Sequence, residues 1–493
     1  MSKTRFLILI LAMVTSLVLI NCSKSGGSSA SLAKVPITTN SKAALKEYHK
    51  GLAFSDKLQR VRALAHFREA VNKDPEFATA WLGVALVSPG LNEFMPALDS
   101  AKAHAPKASQ AEQINISAVE YGLLGMNIEQ GEALSQIINL YPGDERAYIN
   151  LGNYLFGNQL YQAAIKAYSD AIRINDELAA PHNMLGYSQR ALGNYGEAEK
   201  AFKRYIKLNA ENPNAFDSYA ELLLEMGRYN ESIEYYQQAL DLDTTFVASH
   251  LGIATNYNFL HEPEKARHEL QNIRKVAANH VILRQANFAE AVSYAFEGKY
   301  VQALNFIEKN RLIAEENDDI ANIANDFAQM GNMYLELDQP DVAMKKFEES
   351  IRVIEESNLQ EGIKDNAYTI HFYNLARAYA AMGDFRHALR EAGSYERTVR
   401  ALRNPVQIGL AHQLNGIIAL HQDKFQVALE QFERTNQLIP SNLYRMGLAY
   451  EGLGDMEMAS NLFQRARELN ILNSMDQAMV CSKLRKRDKD QNS

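Results

Sequence analysis

His261 and His268, in the stretch HEPEKARH, are the residues of this sequence with the most obvious metal-binding chemistry. They lie seven positions apart and could share one face of a helix, where imidazole nitrogens are good zinc ligands. A zinc site in a protein needs three or four ligands, and no third candidate lies nearby in the sequence. The sequence therefore predicts no metal site, and this histidine pair is the alternative that stays open.

Catalytic motifs are missing from the sequence as a whole. It contains no Gly-rich phosphate loop, no His-Glu-x-x-His motif and no Gly-x-Ser-x-Gly nucleophile. Adjacent acids such as Glu348 and Glu349 fit a solvated helix face. The formal charge of −8 gives no basic footprint for nucleic acid. We therefore predict a protein that is not an enzyme, uses no cofactor and does not bind nucleic acid.

The N-terminal segment has a different character from the remaining sequence. Lys3 and Arg5 precede an apolar run over residues 6–20, which matches the charged and apolar regions of a secretory signal. An uncleaved anchor helix is the alternative, although this run is short against the roughly 20 residues that span a bilayer. Both interpretations place the remaining chain outside the cytoplasm and at a membrane.

The apolar run ends in LVLINC, residues 17–22, which resembles a bacterial lipobox. In that motif the final Cys is lipidated and becomes the new N-terminus. Asn21 departs from the pattern, since a small residue usually precedes the Cys. The resemblance implies a lipoprotein-type signal peptide over 1–22, lipidation of Cys22, and a membrane-anchored protein on the periplasmic or surface side of the cell envelope.

Residues 23–43 begin with SKSGGSSASLAKVP, a composition typical of flexible linkers. We predict that this segment joins the lipid anchor to a folded body. If Cys22 carries lipid, Cys481 is the one remaining thiol, so no intramolecular disulfide is expected. Cys481 lies in an apolar stretch, which favours a buried, inert thiol.

Small residues recur every 33 or 34 positions through the first half of the chain. The series is Gly51, Ala85, Ala118, Gly152, Gly186, Ala220 and Ala254. An aromatic residue stands sixteen positions after several of them, at Phe67, Tyr168, Phe202 and Tyr236. Small side chains let two helices approach closely, and a large ring fills the space beside the crossing. The pattern predicts a stack of helix hairpins.

Each unit also carries signals that end one helix and begin the next. Glycines stand at one equivalent place, where the first helix must end in a left-handed residue: Gly193, Gly227, Gly298, Gly383 and Gly454. Pro263 and Pro340 fall near the start of the second helix. With the small-residue series, these features resemble the tetratricopeptide repeat family. The resemblance implies an all-α fold, an α-solenoid that winds into a right-handed superhelix of about twelve hairpins.

The repeat spacing divides the chain into segments. It is regular over residues 44–283, and it then lengthens to 40 or 45 residues in places, which predicts a longer-helix array over 284–473. Because the end of a solenoid must be capped, we expect residues 474–493 to form a C-terminal cap with a frayed, solvated tail.

Tetratricopeptide repeats hold partners in the concave groove lined by their first helices, and the resemblance implies such a groove here. The inward positions are the second, fifth, ninth and twelfth of each unit. They give the predicted partner-binding residues Asn153, Asn183, Tyr187, Arg190, Asp217, Glu221 and Asn258. Tyr and Arg are enriched at interface hot spots, and Asn can bind a partner's backbone. A solvated surface is the alternative for any single position.

One specific mode of recognition is not supported. Family members that clamp a C-terminal carboxylate use lysines, an arginine and asparagines at set positions. Asn153 matches one asparagine, but Ile149 stands at the first lysine position, and Asn214 and Ser218 at later basic ones. The leading hypothesis is therefore a membrane-tethered scaffold that binds other proteins of the envelope through peptides or helices in the groove. A module for a glycan or small molecule is the alternative.

Overall fold

The computed structural model describes residues 33–57 and 59–491, and these residues form 25 α-helices and no β-strand. The predicted signal segment, Cys22 and the linker up to residue 32 lie outside the described residues. Consecutive helices pair into twelve hairpins, α1/α2 to α23/α24, and α25 follows as a single helix. The chain is therefore an all-α right-handed solenoid of helix hairpins.

The first seven hairpins are built from short helices. They are α1 (Lys42–Asp56), α2 (Arg60–Lys73), α3 (Ala78–Val87), α4 (Leu91–His104), α5 (Gln110–Leu123), α6 (Asn127–Leu140), α7 (Glu145–Gly157), α8 (Tyr161–Ile174), α9 (Ala179–Ala191), α10 (Tyr195–Leu208), α11 (Pro213–Glu225), α12 (Tyr229–Leu242), α13 (Val247–Phe259) and α14 (Pro263–Val276).

Longer helices follow, with 16 to 21 residues in each helix from α15 to α21. The remaining helices are α15 (His280–Phe296), α16 (Tyr300–Glu316), α17 (Ile320–Glu336), α18 (Pro340–Glu355), α19 (Glu361–Ala381), α20 (Phe385–Leu402), α21 (Pro405–His421), α22 (Phe425–Phe432), α23 (Pro440–Gly452), α24 (Met456–Arg467) and α25 (Met475–Gln491).

The recurring small residues lie at the tight crossing inside each hairpin. A Cβ added to Gly152 would come within 2.5 Å of the Tyr168 ring, and one added to Gly186 within 2.7 Å of the Phe202 ring. Ala220, at the next equivalent position, is completely buried. Packing is therefore the reason for the sixteen-residue offset between small and aromatic residues.

From α5/α6 onward, the turn inside each hairpin contains one residue in the left-handed region. Gly193 and Gly227 have φ values of 73° and 72°. Gln159, His261 and Asp338 occupy the same place in other hairpins with φ between 57° and 62°. The turn geometry is thus shared along the array, and glycine relieves its strain only in some hairpins.

Residues far apart in sequence meet where the superhelix winds back on itself. Nδ2 of Asn436, in the loop before α23, donates to Oε1 of Gln159, in the α7–α8 turn, at 3.0 Å. The Tyr229 hydroxyl donates to Oδ1 of Asn470 at 2.9 Å, across 241 positions. The edge of the first array therefore contacts the edge of the second.

The described part of the C-terminal segment, residues 474–491, differs from the frayed tail that we expected. α25 stays helical to Gln491, and its apolar residues Met479 and Leu484 are 6% and 2% exposed. Lys483 forms an ion pair with Glu336 of α17. The run of basic residues looked like a solvated tail because its acidic partners lie on other helices: Glu336 is 147 residues from Lys483, and Glu451 is 36 residues from Arg487.

Residues 33–41, the described part of the predicted linker, lie extended along the first hairpins. The Val35 N–H donates to Asp144 at 2.8 Å, and the Thr38 N–H donates to Glu112 at 2.9 Å. This stretch is therefore held by tertiary hydrogen bonds, which its composition did not reveal. Within 33–57 and 59–491, no helix combines the length and the apolar character needed to cross a bilayer.

Candidate functional site

The two histidines with metal-binding potential do not share a helix face. His261 lies in the turn before α14, with φ of 62°, and its Nδ1 accepts a hydrogen bond from Arg485 of α25 at 3.0 Å. His268 lies within α14. Across the part of the chain that the structure describes, no group of three or more His, Cys, Asp or Glu residues is arranged to hold a metal ion.

Three of the predicted groove residues, Tyr187 and Arg190 of α9 and Glu221 of α11, form one polar network with Glu225. Arg190 makes ion pairs with Glu221 at 2.8 Å and with Glu225 at 3.0 Å, and its guanidinium lies 4.8 Å from the Tyr187 ring centre. The Tyr187 hydroxyl donates to Glu221 at 2.9 Å. The side chains of Arg190, Glu221 and Glu225 are each about one-fifth exposed. We call these four residues the inner network.

Asp217 lies one helical turn before Glu221 on α11 and is 7% exposed. Its Oδ1 accepts a hydrogen bond from the Ser249 hydroxyl at 2.8 Å. Burial raises the pKa of Asp217 to about 7, the negative charge of Glu221 acts in the same direction, and the Ser249 hydrogen bond opposes the rise. This carboxylate is therefore poorly compensated in its ionised form.

The three predicted asparagines are buried or engaged within the protein. Oδ1 of Asn153 accepts from the Tyr168 hydroxyl at 2.8 Å, and Oδ1 of Asn258 accepts from the Ser293 hydroxyl at 2.9 Å. Asn183 is 7% exposed, and its Oδ1 has no hydrogen-bond partner among the described residues. Of the three, Asn183 thus retains unused hydrogen-bonding capacity.

Sequence reasoning missed two parts of the polar interior. Glu225 lies four residues after Glu221, so the helical period placed it on the same face. Arg284 of α15 forms a buried ion pair with Asp326 of α17 at 2.6 Å, with Asn310 and Asn322 hydrogen-bonded to the same guanidinium. No sequence signal joined Arg284 to Asp326, because they lie on different hairpins and 42 residues apart.

The inner side of the C-terminal hairpins is covered by α25. Asp476 accepts a hydrogen bond from the Ser441 N–H of α23 at 3.0 Å, and Met479 packs in one cluster with Met333 of α17. The inner faces of α17 and α23 therefore already contact a helix of the same chain. Cys481 of α25 is buried, and burial raises the pKa of its thiol.

The first hairpins enclose an inner cavity of about 460 Å³. Residues from α1, α3, α5 and α7 line it, and so does the extended stretch near Val35. Leu52, Leu82 and Ile149 supply apolar surface, and Asn115 supplies a polar group. The volume suits a small ligand or a side chain of a bound peptide.

Comparison with known protein families identifies the repeats. Models described as tetratricopeptide repeat match residues 183–245, and residues 145–177 and 440–470. The chain therefore contains tetratricopeptide repeats, and the stretch 183–245 includes the inner network and Asp217.

Curated proteins match parts of the chain at low identity. The chain is similar to Protein CTR9 homolog of Arabidopsis thaliana, with 24% identity over 62% of this chain and 27% of that protein. It is also similar to anaphase-promoting complex subunit 3 of Schizosaccharomyces pombe, with 23% identity over 38% of this chain and 30% of that protein. The chain thus spans less than a third of the length of these relatives.

Solved structures resemble the chain only distantly. One is a tetratricopeptide repeat protein from Parabacteroides merdae, with 15% identity, 53% of this chain and 98% of that chain covered, and a TM-score of 0.36. Another is the APC/C hetero-tetramer Cut9-Hcn1, with 12% identity, 86% of this chain and 76% of that chain covered, and a TM-score of 0.38.

Proposed function

We propose that this chain is a non-catalytic scaffold for protein interactions, tethered to a membrane of the bacterial cell envelope through Cys22. The partner segment, a peptide or a helix, is held on the inner face of hairpins α7/α8 to α13/α14. The predicted groove residues Asn153, Asn183, Tyr187, Arg190, Asp217, Glu221 and Asn258 lie on these hairpins.

The inner network is the observation that carries this proposal. The small and aromatic residues build the crossings, whereas Tyr187 and Arg190 stand at inward positions of α9 and contact Glu221 and Glu225 of α11. Tyr and Arg combine large contact area with directed hydrogen bonds, and they dominate the energetics of many interfaces. Their partial exposure leaves surface for a partner.

The covered C-terminal half supports the choice of the first half. α25 packs against the inner faces of α17 and α23, so a partner would have to displace a well-packed helix there. Among the described residues, α9 and α11 pack against helices of their own and neighbouring hairpins. The first half is therefore the better candidate for binding another protein.

Capture from detergent-solubilised envelopes tests the groove. The full-length chain should retain specific partners, and the double variant Tyr187→Ala, Arg190→Ala should lose them while its circular dichroism spectrum stays helical. The matched control is Tyr368→Ala, Arg173→Ala, because these two side chains are exposed on other helices. Equal capture by both double variants would contradict the assigned surface.

A second candidate function is the binding of a non-protein envelope ligand, and the cavity near Leu52 favours it. Its volume of about 460 Å³ lies within the range of small-molecule sites. A ligand that binds only the folded chain raises the melting temperature. A rise with envelope glycans that Leu82→Trp abolishes would favour this function over protein binding.

A further inference from the structure

Three carboxylates follow one another along a single stripe of α11. Asp217, Glu221 and Glu225 are spaced by four residues, so the helical period places them on the same face. Arg190 is the cation that pairs with this stripe among the described residues, and it contacts Glu221 and Glu225 only. The stripe thus carries more negative than positive charge.

Arg190 illustrates how this stripe holds a cation. Its guanidinium is sandwiched between the Tyr187 ring and the carboxylates of Glu221 and Glu225, at 4.8 Å from the ring centre and 2.8 to 3.0 Å from the oxygens. An aromatic face and partly desolvated carboxylates both strengthen the binding of positive charge. The line of carboxylates continues to Asp217, one turn before Glu221 on α11.

Asn183 and Asp217 repeat the register of Tyr187 and Glu221. Each of the two pairs is separated by 34 positions, and Asn183 and Asp217 each precede their counterpart by one helical turn. The 2.9 Å contact between Tyr187 and Glu221 shows that this register brings neighbouring first helices together. Asn183 therefore lies beside Asp217, one turn along the inner face.

Asp217 differs from Glu221 in having only a neutral partner. Its hydrogen bond comes from Ser249, and no Lys, Arg or His nitrogen of residues 33–57 and 59–491 lies within 4.0 Å of its carboxylate. The carboxylate has acceptor capacity left, since each oxygen can accept two hydrogen bonds.

Two further buried polar atoms on the helices around Asp217 have no hydrogen-bond partner among the described residues. Oδ1 of Asn183 has none among the described residues, and neither has the hydroxyl of Tyr236, whose residue is completely buried. Gly252 of α13 lies against the Tyr236 ring, one helical turn after Ser249, whose hydroxyl donates to Asp217, so the ring lies near this carboxylate. Burial raises the pKa of Tyr236, and the negative charge of Asp217 adds to the rise. Buried polar atoms without a protein partner are uncommon, and a water, an ion or a polar ligand group can satisfy them.

We propose that Asp217, Asn183 and Tyr236 form a site for a primary ammonium group of the bound partner. An ammonium carries three N–H donors and no acceptor, which matches one carboxylate, one amide oxygen and one hydroxyl oxygen. The sources of this chemistry are a lysine side chain and the free N-terminal amine of a peptide. This inference rests on the proposed function and names the chemistry of its partner.

A guanidinium fits this place less well than an ammonium. Its five donors lie in one plane and suit two parallel carboxylate contacts, as Arg190 makes with two different carboxylates. At Asp217 a single carboxylate is present, and the Ser249 hydroxyl already uses one of its oxygens. A compact ammonium on a flexible stem also passes more easily beside Tyr187.

Short peptides test the ammonium site on the full-length chain. The probes are N-acetyl-Ala-Lys-Ala-amide, the isosteric norleucine peptide without charge, and Ala-Ala-Ala-amide with a free N-terminus. Saturation-transfer NMR and calorimetry measure their binding. We expect the lysine peptide or the free-amine peptide to bind, and the norleucine peptide to bind at least tenfold more weakly. Which of the two charged peptides binds shows whether the ammonium group comes from a lysine side chain or from an N-terminus.

Variants decide whether binding occurs at Asp217. Asp217→Asn should weaken binding of the ammonium probe at least tenfold, because the amide keeps the shape and removes the charge. Glu211→Gln is the matched control, since Glu211 is an exposed acid in the loop just before α11, and it should bind as the wild type does. Equal binding of the norleucine peptide, no binding of any ammonium probe, or unchanged binding by Asp217→Asn would overturn the inference.

The outcome can be told apart from a failure of the proposed function. If partner capture depends on Tyr187 and Arg190 while Asp217→Asn captures normally, the scaffold function stands and the ammonium site is wrong. If capture is insensitive to all inner-face variants, the proposed function fails first. If Asp217→Asn and the double variant both lose capture, and added lysine peptide competes with the partner, the scaffold function and the ammonium site are both supported.

Discussion

The substitution Asp217→Asn should stabilise the protein in a way that depends on pH. Folding moves the pKa of Asp217 from its ordinary value of 3.8 to about 7, so the folded chain holds this proton more tightly than the unfolded chain. Stability from this group is fully present below pH 4 and is lost as the pH rises through about 7. A difference of about 3 pKa units corresponds to roughly 4 kcal/mol at pH 8.

The variant should recover most of that free energy. The amide oxygen of asparagine can still accept the Ser249 hydrogen bond, and it cannot ionise beside Glu221. The other polar groups near the stripe, which are those of Arg190, Tyr187, Asn183 and Tyr236, are unchanged in the variant. We therefore expect the variant to be more stable than the wild type by about 2 to 4 kcal/mol at pH 8, with little difference near pH 4.

Hydrogen exchange of α11 is the appropriate assay, because solenoids open locally and need not unfold in one step. Amides of α11 should exchange more slowly in Asp217→Asn than in the wild type at pH 8, and at equal rates at low pH. Glu211→Gln, the exposed control, should match the wild type at both. Equal protection of α11 in wild type and variant at pH 8 would refute the reasoning.

Three other changes have defined outcomes. Gly252→Ala would place a Cβ within 2.1 Å of the buried Tyr236 ring and should destabilise the chain by about 1 to 3 kcal/mol in thermal unfolding. The control Gly196→Ala, where a Cβ would have no atom within 4 Å, should stabilise α10 by up to about 1 kcal/mol. If Gly196→Ala is destabilised instead, close packing is not what distinguishes the two glycines. Cys22→Ser should abolish metabolic labelling with an alkyne fatty acid and release the chain from membranes, and continued labelling would exclude Cys22 as the lipidated residue. Leu484→Ala should destabilise by about 2 to 5 kcal/mol and expose α25 to proteolysis, while cleavage at the wild-type rate would show that α25 does not pack as described.

Features that depend on local spacing could be predicted from the sequence. Gly152 and Tyr168 recur with a fixed offset because each hairpin repeats one crossing, so a single chain already contains several copies of the signal. The left-handed turn could be predicted for the same reason. The repeat register places His261 in the turn position of Gly193 and Gly227, so His261 lies off the helix face that carries His268.

Features that depend on the winding of the superhelix could not be predicted. The contacts of Lys483 with Glu336, and of Val35 with Asp144, join segments more than a hundred residues apart, and the rotation between hairpins sets them. The inward positions on α9 and α11 were predictable, but the bonds between them were not. Arg190 was expected to face a partner, and the structure places it between Glu221 and Glu225.

Our central claim is that the inner face of α9 and α11 binds the partner. Hydrogen exchange of the full-length chain, measured with and without its captured partner, tests this claim most directly. We expect the backbone amides of α9 and α11, where Tyr187, Arg190 and Asp217 lie, to exchange more slowly when the partner is bound. Protection confined to the second helices α10 and α12, or to α25, would contradict it.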